Sequence, residues 1–250
     1  MKQLIFAANW KMHLSPDAAR RFLEVFLQGY QPSEDREAWF FPSAIALEAV
    51  LHASADQEGI VVGAQNVHWE PKGAFTGELS VPMLNEAGGR AALVGHSERR
   101  HVFGETDEET GRKVKALLDL GLVPMLCVGE KLEQREAGET LTVVERQLAV
   151  LSDYDADTLQ RVVIAYEPVW AIGTGKTATP ADASEVHAFI RRWYGDRGVS
   201  PEGARILYGG SVKPANIEAL VAEAEIDGVL VGGASLHPVD WAGMVRAGLD

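Results

Sequence analysis

The chain has 250 residues, 46% of them hydrophobic and 24% charged, the mixture of an ordinary soluble globular protein that can bury about three quarters of its unfolded surface without disulfide staples. Thirty-six acidic residues against 23 basic ones leave a net charge of −13. That balance excludes a general nucleic-acid or anionic-membrane binder, and it obliges any phosphorylated ligand to be attracted locally against the overall field.

A single cysteine, Cys127, leaves no intrachain disulfide or cysteine-based zinc site, as expected in a reducing compartment. No run approaches the ~18 apolar residues of a membrane span. Residues 4–8 hint at a signal peptide, but Asn9 and Lys11 cut the apolar stretch short, and the expected location is cytoplasmic. From there one pattern repeats: an apolar run, a small or polar cluster, then helical periodicity. The run at 4–10 is followed by Ser15-Pro16, an N-cap and first-turn proline ahead of Phe22, Val25 and Phe26, with Gly29 as a stop. Runs at 38–41 and 60–64 follow, then a long loop, 65–80, carrying Trp69 and Phe75. Loops of more than about 12–15 residues are uncommon unless functional. The aromatics fit a partner surface or a loop folded back on its own barrel equally well.

The run at 91–95 precedes Thr106-Asp107-Glu108-Glu109, a capping box before Val114, Leu117 and Leu118 that Gly121 closes. Runs at 122–128 and 162–166 come next, then Thr179-Pro180 opens a helix through Val186, Phe189 and Ile190 to Gly195. The run at 205–208 precedes a helix that Pro214 opens, with Ile217 and Leu220, and the last run is 228–232. Each run is nearly continuous in apolar residues, as in strands covered on both faces. Eight of them alternating with helices match the arithmetic of an α/β fold, a (β/α)8 barrel in a single domain over 1–250. An open doubly wound sheet would also alternate, but no strand–glycine-turn–helix fingerprint lies near the N-terminus.

In a barrel the reactive groups sit where strands end. The ends read Asn9-Trp10-Lys11, Gly95-His96-Ser97-Glu98, Cys127-Val128-Gly129-Glu130, Tyr166-Glu167-Pro168, Gly209-Gly210-Ser211 and Gly232-Gly233. Pro168 biases Glu167 toward an extended conformation and stops its strand, so the carboxylate is either a base over the mouth or a solvated strand-end acid. Residues 168–176 have a stiff start, a glycine-containing middle and a second possible hinge, the composition of a closing lid. His96 precedes a candidate helical turn, whose N–H groups disfavour the imidazolium; a hydrogen-bonded structural histidine is the alternative. Two glycine pairs after the last strands make an anion site of backbone amides, or else tight turns. Such amides and one lysine, Lys11, the only obvious charge available, bind a phosphate without making the protein basic.

Several motifs fail. Gly175-Lys176-Thr177 lacks the leading glycine of a phosphate loop, since Trp170 stands there. Gly173-Thr174-Gly175 does not leave a strand directly, so it is no dinucleotide fingerprint. The seven histidines are scattered without a His-Glu-x-x-His pair, which speaks against a metal site. Ser211 is not in a Gly-x-Ser-x-Gly elbow.

At these residues the chain resembles the triosephosphate isomerases over essentially its whole length. The matching blocks are Asn9-Trp10-Lys11-Met12, 73–78, 95–100, 165–175, Tyr208-Gly209-Gly210-Ser211-Val212 and 231–236. The resemblance implies a (β/α)8 TIM barrel interconverting two triose phosphates in glycolysis and gluconeogenesis, without cofactor or metal. Roles known for the family carry over as follows: Glu167 is the base, His96 the neutral electrophile, Lys11 the positive charge and Asn9 a further hydrogen bond. Glu98 is the acid beside that lysine. Gly173, Ser211, Gly232 and Gly233 hold the phosphate, Ile172 and Leu230 press on the base, and Cys127 packs behind it. The resemblance also implies a homodimer through loop 65–80, with Thr76 near Lys11 and His96 of the partner subunit, and no nucleic-acid or membrane partner. Departures are local: Ala7-Ala8 for Gly-Gly, His13-Leu14 for Asn-Gly, Trp69-Glu70-Pro71 and His237-Pro238. Another sugar-phosphate barrel would share the phosphate glycines, and an inactive phosphate-binding protein would have lost Glu167, His96 or Lys11.

Overall fold

A computed structural model describes residues 3–171 and 180–249. Eight strands form one closed parallel barrel in chain order: β1 Leu4–Asn9, β2 Arg36–Phe41, β3 Ile60–Ala64, β4 Ala91–Val94, β5 Val123–Val128, β6 Val163–Tyr166, β7 Arg205–Tyr208 and β8 Gly228–Val231. The first half carries the helices α1 Pro16–Gly29, α2 Leu47–Ala53, α3 Val81–Ala87, α4 Ser97–Val102 and α5 Asp107–Asp119. The second half carries α6 Leu132–Glu136, α7 Thr140–Leu148, α8 Ala156–Leu159, α9 Pro180–Gly195, α10 Ile217–Val221 and α11 Pro238–Val245. No helix among the described residues is long and apolar enough to cross a membrane.

The continuous apolar runs divide by a period of two into two separate cores. Ile5, Ala7, Trp39, Phe41, Ala91, Leu93, Met125, Cys127, Val163, Ala165, Leu207 and Leu230 pack together inside the barrel. Their strand neighbours, among them Phe6, Ala8, Phe40, Ala92, Leu126, Ile164, Ile206 and Val229, pack against the helices. The same alternation puts Asn9, two residues past Ala7, and Glu167, two past Ala165, on the inner face at the mouth. Outside, Phe22 of α1 meets Trp10 at 4.8 Å and Phe40 at 6.3 Å between ring centres, binding the first helix to the first two strands.

Helix ends follow local chemistry. The Ser15 hydroxyl accepts the Ala18 N–H with Pro16 in the first turn, and both halves of the Thr106–Glu109 capping box form. Pro214 does not open a helix. The Asn216 side chain folds back to accept the Lys213 N–H at 2.8 Å, which closes a turn over 214–216 and delays α10 to Ile217. Leu14 takes a positive φ of 61°, a left-handed conformation that costs an ordinary residue about 1 kcal/mol.

Loop 65–80 is pinched at its base by the His68–Ser80 bridge, and residues 70–78 are all exposed. Its tip therefore stands clear of its own barrel rather than folding onto it. Above the base, His68 is stacked between Trp69 and Phe75, each 4.2 Å away, and the Arg112 guanidinium lies 5.4 Å over the Trp69 ring.

Closure joins β8 to β1, with Ile5 opposite Gly228 and Ala8 opposite Val231. Gly228 has φ 144°, and a Cβ there would lie 2.0 Å from the Ile5 carbonyl oxygen. Gly228→Ala is therefore expected to lower unfolding stability by about 3 kcal/mol, read from the urea midpoint. A variant as stable as the parent would show that the seam opens without strain.

Candidate active site

Lys11 occupies a left-handed conformation with φ 50°, and its backbone is held on both sides. Its N–H donates to Asn9 Oδ1 at 3.0 Å. Gln65 Nε2 donates to the Lys11 carbonyl at 2.7 Å and to the Phe41 carbonyl at 2.9 Å. These bonds offset a strain of about 1 kcal/mol and aim the side chain inward. The Lys11 ammonium meets Glu98 Oε1 at 2.6 Å.

His96 is the N-cap of α4 and accepts the Glu98 N–H through Nδ1 at 3.2 Å. A nitrogen that accepts carries no proton, so the proton sits on Nε2, which faces Glu167 Oε1 at 3.0 Å. Glu167 also accepts the Ser97 N–H at 2.9 Å and the Ser97 hydroxyl at 3.4 Å. Burial alone would push the carboxyl of Glu167 up, yet His96, the Ser97 N–H and the Lys11 charge together hold it below the ordinary glutamate value. Burial pushes His96 down, while the carboxylate against Nε2 outweighs it and raises the ring as long as that contact lasts. Once the carboxylate moves off, burial, the Lys11 charge and the Glu98 N–H favour the neutral ring, against the Glu98 carboxylate 3.7 Å from Nδ1.

The backbone beneath the carboxylate needs a missing atom. A Cβ on Gly129 would lie 1.8 Å from the Glu167 carbonyl oxygen, so glycine alone lets the ends of β5 and β6 approach. Cys127 is fully buried on the inner face, and burial, reinforced by the Glu167 charge, pushes its thiol well up. It is an inert packing group. Glu130, also fully buried, accepts the Trp170 Nε1–H at 2.9 Å and the Tyr166 hydroxyl at about 3.1 Å. It thereby ties the start of the 168–176 segment to β6.

A second buried network braces the strand before His96. Glu105 accepts the Gly95 N–H at 2.9 Å, the Lys113 ammonium at 2.7 Å and Arg99 Nε at 3.0 Å. Lys113 also donates to Asn66 Oδ1 at 2.7 Å. Burial raises the Glu105 carboxyl, but Lys113, Arg99 and the Gly95 amide overcome it and hold the group below its ordinary value.

A cavity of about 310 Å³ at the strand ends is lined by Asn9, Lys11, His96 and Glu167 together with Gly209, Gly210, Ser211, Gly232, Gly233 and Leu230. Asn9, Lys11, His96, Glu167, Ser211, Gly232, Gly233 and Leu230, all picked from the sequence, thus meet at one place, with Glu98 paired to Lys11 and Cys127 behind. Ile172, Gly173 and Thr179 lie outside the described residues. Thr76 and Phe75 are exposed at the loop tip and do not line this cavity. Lys11 is not the only cation: Lys213 lines the cavity as well. Gln65, Ser97 and Glu130 carry no motif that marks their roles. Among the described residues, no three His, Cys, Asp or Glu side chains gather as metal ligands.

A closed (β/α)8 barrel whose mouth brings a carboxylate, an imidazole and an ammonium together with bare glycine backbone defines a class of protein: a barrel with acid–base groups set around a site for a small anion. The family model for triosephosphate isomerase matches residues 4–248. Proteins named triosephosphate isomerase from Aquifex aeolicus and Moorella thermoacetica are 47% and 49% identical, each over 98% of this chain and 99% of their own. The one from Roseiflexus castenholzii is 50% identical over 94% of both chains. The chain belongs to the triosephosphate isomerase family.

The Glu105 network has a pH signature. Its folded value lies below the unfolded one of ~4.3, so its contribution is full above that pH and is lost as pH falls through the folded value. Glu105→Gln, which leaves Lys113 and Arg99 facing a neutral group, is expected to remove about 3 kcal/mol at neutral pH. Urea unfolding of both proteins from neutral to acid should show this gap closing below about pH 4; a constant gap would assign the loss to packing.

Proposed function

We propose that this chain interconverts dihydroxyacetone phosphate and D-glyceraldehyde 3-phosphate by moving a proton between adjacent carbons through an enediolate. The observation that carries the reading is the shared cavity: Glu167, His96, Lys11 and Asn9 line, together with the bare backbone of Gly209, Gly210, Gly232 and Gly233, a space of about 310 Å³, large enough for a small phosphorylated molecule. The isomerisation is redox-neutral and internal to the substrate, so it calls for no redox cofactor, and Lys11, His96 and Asn9 supply the polarisation of the carbonyl that a metal could otherwise give.

A proton next to a carbonyl is weakly acidic, and the barrier falls when fixed donors stabilise the charge that develops on the oxygens. Glu167 is the base. It is buried and held ionised by Ser97 and His96, and it must leave those donors to reach carbon. His96 then offers its Nε2–H to the enediolate as a neutral ring. Asn9 has its Oδ1 occupied by the Lys11 N–H, which leaves its amide hydrogens for a substrate oxygen. Lys11 supplies the positive charge, kept in place by Glu98. The amides of Gly173, Ser211, Gly232 and Gly233 take the phosphate, whose binding energy drives closure of residues 168–176. Ile172 and Leu230 then exclude water, which strengthens the base.

The working form is a cytoplasmic homodimer built through loop 65–80. Exposed apolar side chains occur in the segments after four adjacent strands, at Met12, Ile45, Phe75, Val102 and Phe103, and exposed apolar surface at one end of a fold is what a protein interface requires. Thr76 at the loop tip reaches toward Lys11 and His96 of the partner subunit.

Glu167→Asp, which retracts the carboxylate by about 1 Å, is expected to lower kcat on the order of 10²-fold with little change in KM. Steady-state kinetics in both directions decides this, and unimpaired turnover removes Glu167 from its role. Phe75→Ser or Thr76→Arg should lower dimer content and activity together, measured by sedimentation and assay on the same samples. A fully active monomer would contradict the insertion of the loop.

A further inference from the structure

We propose that Lys213 is a second binding charge for the anionic end of the substrate, set on the cavity rim by the loop after β7. The inference rests on the isomerase reading of the same cavity.

Two lysines line that cavity, Lys11 and Lys213. The Lys11 ammonium is paired with Glu98 at 2.6 Å, so toward an anion still outside the mouth the pair is nearly neutral. Lys213 differs. Its side chain is exposed, and among the described residues its ammonium takes part in no hydrogen bond or ion pair. Its backbone, in contrast, is fastened on both sides. The N–H donates to Asn216 Oδ1 at 2.8 Å, and the carbonyl accepts the N–H groups of Asn216 and Ile217 at 3.1 and 3.2 Å. Asn216 Nδ2 in turn donates to the Ser211 carbonyl at 3.0 Å. One asparagine side chain thus joins the stem of Lys213 to the residue that follows Gly209-Gly210, and holds an unpaired cation beside that glycine pair at the mouth.

The rest of the molecule explains why such a charge matters. With a net charge of −13, the distant field repels a phosphate dianion, while neutral amides act only at contact range. An unpaired cation at the rim creates a local attractive potential that reaches about one Debye length, roughly 8–10 Å at moderate salt. The phosphate bears the same charge before and during proton transfer, so this attraction is uniform binding: it lowers KM and leaves kcat almost unaltered.

The test compares the parent protein with Lys213→Gln and Lys213→Arg, using glyceraldehyde 3-phosphate across a range of ionic strength and inorganic phosphate as competitor. Lys213→Gln is expected to reduce kcat/KM about 5-fold at low salt, through KM, to flatten the salt dependence and to raise the phosphate inhibition constant by a similar factor; Lys213→Arg restores all three. A parental KM and salt slope in Lys213→Gln, a loss confined to kcat, or failure of Lys213→Arg to restore binding would overturn the inference. A parent protein that turns over no triose phosphate sinks the isomerase reading instead. In that event, calorimetry showing weaker inorganic-phosphate binding by Lys213→Gln still supports the rim charge, and equal binding rejects it.

Discussion

Pairing of the first strand with the last is the constraint on which the mouth depends. β1 contributes Asn9 and leads into Lys11, and β8 contributes Leu230 and leads into Gly232 and Gly233; they share one cavity because Ala7 lies opposite Leu230 in the closing ladder. Strand side chains alternate with a period of two, so a slip of one residue would turn Asn9 out among the helices and bring Ala8 in. The same holds across β5 and β6, where Cys127 faces Ala165 and Val128 faces Tyr166. That register places Gly129 against the Glu167 backbone, where no side chain fits.

Around this frame, polar groups are buried in an arrangement that would be costly if left unpaired. The fold satisfies them from segments distant in sequence. Glu167 takes its donors from the start of α4, and Lys11 is pinned by a side chain at the end of β3. Glu167 and Lys11 are therefore fixed in part by neighbouring strand ends, while His96 is held within its own loop by the Glu98 N–H. The Lys11 backbone shows the trade: a left-handed conformation is accepted because two hydrogen bonds hold it there.

The barrel and half of its site could be read from one sequence because their signals are local. Apolar runs bounded by small residues mark all eight strands to within about two residues. The Ser15 cap, the Thr106–Glu109 box and the positions of His96, Glu167 and the glycine pairs are each contained in a few consecutive residues. What escaped the reading is non-local. Gln65 and Lys11 are 54 positions apart, Ser97 and Glu167 are 70 apart, and Glu130 and Tyr166 are 36 apart, and no pattern along the chain links them. Pro214 misled because an asparagine two residues later preferred a turn to a cap. Lys213 did have a signal, a cation two places beyond Gly209-Gly210-Ser211, but its weight depends on where the neighbouring carboxylates lie. Trp69 and Phe75 announced an unusual loop without revealing that both would stack on His68.

The inner core sets a boundary on what the vessel above it can hold. Trp39, Phe41, Met125 and Leu207 pack with Ala7, Ala91 and Ala165, all of them buried, so the mouth rests on a filled core. Protons and solvent must come and go by the rim, and a longer sugar could gain room only sideways, among the loops. Tailoring this scaffold to a bulkier molecule is thus a matter of rebuilding its collar, since hollowing its floor would dismantle the packing that keeps the barrel round.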